Sequence, residues 1–164
     1  MSGDAGDPTR VALRLAPMTA ALAAEVALWR YASPDDVHDG TPGTPMALLD
    51  GNHVAIMAGD EFVGFVGIGG EARVRGGPHD DGDVTDVAIG IRPDRLGEGI
   101  GTRAGLLAIE TLRFDGHRRL RVCILDDNDR SVALALRLGF HEAGSFERES
   151  DATRFRQFEL EVDV

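Results

Sequence analysis

The chain has 164 residues, with 28 acidic side chains against 17 basic ones, all arginine, and a net charge of −11. That length fits one domain with its own core, and the single cysteine, Cys123, can form neither an internal disulfide nor a cysteine-based zinc site. So acidic a balance argues against nucleic acid, whose phosphates need a basic face; it serves solubility and is compatible with a cationic amine substrate.

The opening Met1–Asp7 is acidic and Gly-rich, without the basic and apolar regions of a secretion signal. The apolar runs are broken well short of a membrane span. The expectation is a soluble, cytoplasmic protein: a loose tail over 1–9, then one domain over 10–164. Arg10–Leu15 reads as a first strand, which Pro17 ends. Thr19 is placed to cap a helix running to about Tyr31, with Leu22, Val26 and Trp29 on its buried side and Leu28 also assigned to the core. Ser33–Pro45 is loop, with a short helical turn near Met46–Leu49. His53–Met57 and Phe62–Ile68, joined through Gly59-Asp60-Glu61, form a hairpin. Glu71–Gly82 is a polar turn region, and Val84–Ile91 the next strand.

Pro93 stops that strand, and Leu96-Gly97-Glu98-Gly99-Ile100-Gly101 follows. A helix then runs from Thr102 to about Phe114, with Leu106, Leu107, Ile109 and Leu112 as its apolar face, and Gly116 ends it. Leu120–Leu125 is a buried strand, Ser131–Leu138 a short helix closed by Gly139, and Phe140–Phe146 and Phe155–Val162 two final strands. The order β-α-(α)-β-β-β-α-β-α-β-β is an α/β layout, a mixed sheet with helices on both sides.

Three alternate glycines between a strand and a helix let backbone amides approach a ligand closely. The helix start adds N–H groups without intrahelical acceptors and the positive end of the dipole. An anion, and a pyrophosphate above all, fits such a junction; the plain alternative is clearance for tight packing. A Walker loop is excluded because the chain has no lysine. A dinucleotide site is a competitor, since Asp126 and Asp127 follow the next strand. However, Thr102 stands where G-x-G-x-x-G has its third glycine, and too few residues follow for a doubly wound sheet.

Ile91-Arg92-Pro93-Asp94-Arg95-Leu96-Gly97-Glu98-Gly99-Ile100-Gly101 resembles the acetyl-CoA loop of the GNAT superfamily of N-acetyltransferases, a strand ending in V-x-P followed by [R/Q]-x-x-G-x-[G/A] and a helix. Asn128-Asp129-Arg130-Ser131-Val132-Ala133-Leu134-Ala135-Leu136-Arg137-Leu138-Gly139-Phe140 is similar to the family's N-x-x-A-x-x-L-Y-x-x-x-G-F segment. Both occur in the family's order, and the resemblance spans nearly the whole chain. It implies a GNAT-like fold with a mostly antiparallel sheet.

The resemblance also implies acetyl-CoA as co-substrate, with its pyrophosphate on the backbone of Leu96, Gly97, Glu98, Gly99, Ile100, Gly101 and Thr102. Arg95, Arg103 and Arg130 are candidates for phosphate charges or, equally, solvated side chains. Asn128 either meets the pantetheine arm or caps the following helix. The strand Val84–Ile91 would pair its backbone, through Ala88, Ile89 and Ile91, with the pantetheine amides, and the N–H groups near Ala88 and Ile89 would polarise the thioester carbonyl. Two departures stand out: Leu96 occupies the [R/Q] position, and Ala135 occupies the place of the family's frequent general-acid tyrosine, so no general acid transfers.

Attack requires a neutral amine, so a base or proton wire has value. Asp86 corresponds to an acidic residue that many members carry, and is the expected base or amine-positioning charge, against the plain alternative of a solvated strand-edge aspartate. Ser131 and Cys123 are weak candidates for protonating the thiolate, and no partner is at hand to activate Cys123 as a nucleophile. His79–Asp83 matches no metal loop, so no metal is expected; His38, His53, His117 and His141 carry no readable role. The expected reaction is acyl transfer to a primary amine of a small molecule or peptide in a ternary complex. The competing class is a module that binds acyl-CoA without turnover. By the resemblance the acceptor is set by Trp29–Pro45 and Gly144–Arg154, where Asp35, Asp36, Asp39, Glu147, Glu149 and Asp151 suit a polyamine, an aminoglycoside or a basic peptide amine. An edge strand at the C-terminus offers a surface for a homodimer.

Overall fold

Strands and helices follow one another in the expected order. The computed structural model describes residues 11–32, 38–69, 83–148 and 150–162. They comprise β1 (Leu13–Pro17), α1 (Ala20–Ala27), α2 (Thr44–Leu48), β2 (His53–Ala58), β3 (Glu61–Ile68), β4 (Val84–Ile91), a 3-10 turn over Pro93–Arg95, α3 (Ile100–Phe114), β5 (Arg119–Leu125), α4 (Asp129–Arg137), β6 (His141–Glu147) and β7 (Arg154–Glu161). The seven strands form one mixed sheet in the order β1-β2-β3-β4-β5-β7-β6. β1 and β2 run antiparallel, as do β5 with β7 and β6 with β7, whereas β4 and β5 are parallel. The expected tail over 1–9 and the polar turn Glu71–Gly82 lie outside the described residues.

The chain divides into two compact units. The first holds residues up to 66 together with 89–107. Its apolar centre is Ala23, Val26, Trp29, Leu48, Ala55 and Phe62, with Trp29 packed on the rings of Phe62 and Phe65 at centroid distances of 5.5 and 6.0 Å. Thr19 caps α1 as expected, its hydroxyl accepting from the Leu22 amide at 3.2 Å.

α1 is shorter than its apolar spacing predicts, ending at Ala27 instead of near Tyr31. Arg30 Nη1 donates to the carbonyls of Ala27 and Trp29, which a continuing helix would have bonded itself, and to that of Gly40, which the chain brings back against the helix end. Trp29 is therefore buried from outside the helix, while Leu28, expected in the core, is largely exposed at the helix end. α2 starts at Thr44, earlier than expected, because Pro45 suits a first turn, where its missing N–H costs nothing.

The second unit holds residues 67–88 and 108–164. Here β5 pairs with β7 along its whole length, Arg119↔Glu161 through Leu125↔Phe155. The parallel ladder between β4 and β5 is much shorter, with three pairs: Val84↔Arg119, Thr85↔Leu120 and Asp86↔Arg121. β6 lies at the sheet edge with most of its residues exposed, and Phe146 stacks on Phe155 of β7.

α3 and α4 close alike. The Gly116 amide donates to Arg113 O and that of His117 to Leu112 O; the Gly139 amide donates to Leu136 O and that of Phe140 to Ala135 O. α3 begins at Ile100, two residues before the expected start. Its buried stripe is Ile100, Ala104, Ala108 and Leu112, at a spacing of four; Leu106, expected on the apolar face, falls on the far side and is half exposed. Among the described residues no helix is long and apolar enough to cross a membrane.

Candidate active site

In the first unit, β4 runs through Ile89 and Ile91, turns at Pro93 and hands over to the glycine loop. Gly97 and Gly99 have φ of +82° and +78°, the left-handed region that L side chains rarely adopt. A Cβ built on either glycine would meet nothing within 4 Å, so the loop is open on that side. α3 starts directly after Gly99, and its first intrahelical bond runs from the Arg103 amide to Gly99 O at 3.3 Å. The amides of Ile100 and Gly101 precede that bond and stand at the positive end of the helix. Backbone groups of this kind fit a pyrophosphate.

The side chains around the loop are arranged differently from the expectation. Arg95, a candidate phosphate ligand, donates from Nε and Nη2 to Glu61 Oε1 at 3.0 and 2.5 Å, and its Nη1 stands 3.9 Å from Glu98. Arg92 holds Asp94 through two hydrogen bonds of 2.6 and 2.9 Å, which keep that carboxyl below the usual carboxylate range, and reaches Glu61 at 3.1 Å. Arg103 donates to the Val11 carbonyl. With Leu96 apolar and Arg95 held by Glu61, what Leu96 and the glycines offer an anion is backbone amides and the positive end of the helix. Glu98 even adds a carboxylate, one oxygen of which is buried without a hydrogen-bond partner.

One contact escaped the sequence. Tyr31, the chain's single tyrosine, lies well beyond the end of α1, yet its hydroxyl donates to the carbonyl of Ile91, the last residue of β4, at 2.5 Å. Its backbone N–H donates to Asp39 Oδ1 at 2.7 Å, tying the segment after α1 to the start of the next one. Only the helix ending at Ala27 frees the chain to make this turn, and apolar periodicity did not show that end. Residues 33–37, with Asp35 and Asp36 among them, and Glu149 lie outside the described residues.

Asp86, Ala88, Asn128 and Arg130 belong to the second unit. Asp86, the expected base or amine-positioning charge, stands at the last pair of the parallel ladder between β4 and β5. It is 3% exposed, and its two oxygens accept from Nε and Nη2 of Arg121 at 2.7 and 2.9 Å, with Arg121 itself 1% exposed. Both carboxylate oxygens are thus committed to Arg121 in a pair closed to solvent. Asn128 is the N-cap of α4, its Oδ1 accepting from the Ser131 amide at 3.2 Å, and Arg130 is exposed in the first turn. Ala135, at the family's tyrosine position, is buried.

Cys123 is half-buried on β5, and burial, followed by the charge of Asp86, pushes its thiol up to about 11. A thiol so shifted is neither a nucleophile nor a metal ligand at neutral pH. Alkylation of the folded protein by iodoacetamide at pH 8 is therefore expected to be at least tenfold slower than in denaturant. Of the His79–Asp83 segment, 79–82 lie outside the described residues, and among the described residues no group of three His, Cys, Asp or Glu side chains could hold a metal.

Comparison with known proteins bears on the family and the fold. The family model for the acetyltransferase (GNAT) family matches residues 22–140. Among solved structures, yncA of Salmonella typhimurium, in a structure with its cofactor acetyl-CoA, aligns over 93% of this chain and 95% of its own, with TM-score 0.65 and 16% identity. The ribosomal-protein-S18-alanine N-acetyltransferase of Escherichia coli aligns over 93% and 95%, with TM-score 0.66 and 15% identity. The aminoglycoside acetyltransferase AAC(6')-Ib, solved with coenzyme A, aligns over 92% and 94%, with TM-score 0.67 and 19% identity. At such identities these likenesses concern the fold. No curated protein matches the chain in sequence.

Proposed function

The chain belongs to the acetyltransferase (GNAT) family, and on that premise we propose that it transfers an acetyl group from acetyl-CoA to a primary amine of a small molecule or peptide, by direct attack in a ternary complex. The observation that carries this reading is the glycine loop: two left-handed glycines with open space beside them, set at the N-terminus of a 15-residue helix.

In this reading the amides of Leu96 through Thr102 hold the pyrophosphate. Ala88, Ile89 and Ile91 present backbone to the pantetheine, and Asn128 and Arg130 contribute from α4 as the family resemblance implies. Arg95 reaches a phosphate only by exchanging Glu61 for it. The amine nitrogen bonds to the thioester carbon, the C–S bond breaks, and the N–H groups near Ala88 and Ile89 meet the developing oxyanion. With Asp86 held by Arg121, the ammonium proton leaves through water. The departing thiolate, being a weak base beside an alkoxide, asks little of an acid. That is consistent with Ala135 in the tyrosine position.

A cationic acceptor is favoured by overall charge more than by individual carboxylates. Asp39 is engaged by the Tyr31 amide, and Asp151 by Arg148 and the Thr153 amide. Polyamines, aminoglycosides and basic peptides are the first acceptors to try. The test is thiol release from acetyl-CoA across a panel of such amines, where amine-dependent release above the hydrolysis background is expected. The buried Ala135 and the ion-paired Asp86 favour a second reading, a module that binds acyl-CoA without turnover. Tight cofactor binding with no release on any amine decides for the module.

A further inference from the structure

β4 and β5 share only three ladder pairs, and the last is Asp86↔Arg121. That pair is also a fully buried, bidentate ion pair. Arg121 is flanked on its other side by Glu159 of β7, its register partner, which in turn faces His141 of β6; Arg119 also reaches Glu159 at 3.5 Å. A row of ionisable groups thus crosses four strands, and within it the one bidentate pair stands where the ladder ends. From Val122 on, β5 keeps its β7 partners, while Val87 and Ala88 of β4 continue without ladder partners on β5.

We infer that Asp86 and Arg121 form a positioning clamp that fixes where β4 leaves β5, and with it the aim of the Ala88 and Ile89 amides at the thioester carbonyl. Side chains alternate faces along a strand, so a slip of one residue would turn Asp86 to the opposite face and strand two buried charges. Register is therefore specified at this point more sharply than apolar packing alone would specify it. Setting register is the best-attested use of buried polar groups. The clamp acts two residues before Ala88, close enough to govern those amides and too deeply enclosed to touch an amine. It rests on the acetyl-transfer reading for its purpose, though not for its geometry.

The test compares the parent with Asp86→Asn and with the charge-free double variant Asp86→Leu/Arg121→Met. Asp86→Asn is expected to lower kcat per folded molecule about tenfold, to leave the acetyl-CoA Kd within threefold, and to speed amide exchange over residues 87–91 at least tenfold. The double variant is expected to restore slow exchange and to bring kcat within about threefold of the parent, with an unchanged pH profile. Arg121→Lys keeps the charge without the two-pronged geometry, and is expected to behave like Asp86→Asn even if the double variant does not fold. Unchanged exchange in Asp86→Asn and Arg121→Lys overturns the clamp, and this readout needs no turnover, so it separates from failure of the acetyl-transfer reading. A folded double variant that stays a hundredfold down, with a limb missing from its pH profile, also overturns it and returns Asp86 to the role of base.

Discussion

Replacing Gly99 by glutamate is expected to weaken acetyl-CoA binding by about a hundredfold or more, a loss of roughly 2.7 kcal/mol. Two effects add. Gly99 has φ +78°, where a side chain costs roughly 1–2 kcal/mol of backbone strain, so the loop is pushed toward another conformation. The new carboxylate then stands on the open side of the loop, at the helix N-terminus where the pyrophosphate is proposed to lie, and repels it. Glu98 already brings one negative charge to this loop, and Arg95 is held by Glu61, so no uncommitted cation on Arg95 offsets a second. Gly51→Glu is the matched control. Gly51 has φ +88°, and a Cβ there would likewise meet nothing within 4 Å, but it lies in the turn before β2. Its variant shares the strain and should bind acetyl-CoA as the parent does. Equal loss in both variants would mean that general destabilisation, not the loop, governs binding.

Gly40→Ala is the second large effect, and it acts on stability. A Cβ at Gly40 would come within 2.5 Å of the Ala27 carbonyl carbon and oxygen, and closer still to Val26 O. These are backbone atoms at the end of α1, so no side chain can swing aside. The Gly40 amide also donates to Trp29 O at 3.1 Å, and its carbonyl accepts from Arg30. A single methyl therefore disturbs the contact that ends α1 and that lets Trp29 and Tyr31 turn inward. A penalty of about 3 kcal/mol is expected, at the upper end for overpacking. For a chain of this size that lowers the melting temperature by roughly 10 °C. Gly43→Ala, whose Cβ would find only Thr41 Oγ1 at 3.9 Å, should melt close to the parent. A melting temperature for Gly40→Ala within about 2 °C of the parent would refute this packing.

Most strands were legible because their cues are local, although β1 lies at Leu13–Pro17 and includes the Pro17 expected to end it, paired with Val54 at the sheet edge. Val84–Ile91 is a β-branched run closed by a proline, and it is found with those same ends. The glycine loop and both helix-closing glycines could also be read directly, since each meets a backbone demand at one point in the chain. What was hidden depends on partners far away in sequence. Nothing near Asp86 announces Arg121, 35 residues later, although an arginine inside the apolar run Leu120–Leu125 already implied a buried counter-charge. That signal would have pointed to the ion pair that Asp86 makes. The end of α1 was misjudged for the same kind of reason: apolar spacing continues to Trp29, but Arg30 and Gly40 stop the helix at Ala27. Leu106 was assigned to the core by its type, whereas the spacing of Ile100, Ala104, Ala108 and Leu112 gave the buried face to smaller residues. Glu61 as the holder of Arg95 is likewise a contact across 34 residues.

All of the proposed chemistry depends on acetyl-CoA binding at the glycine loop, and calorimetric titration of acetyl-CoA into the protein, with NADH and ATP as controls, tests it most directly. The expected result is one site with a Kd on the order of 10 μM, and no comparable heat from either control. No heat from acetyl-CoA, or equal affinity for NADH, would contradict it.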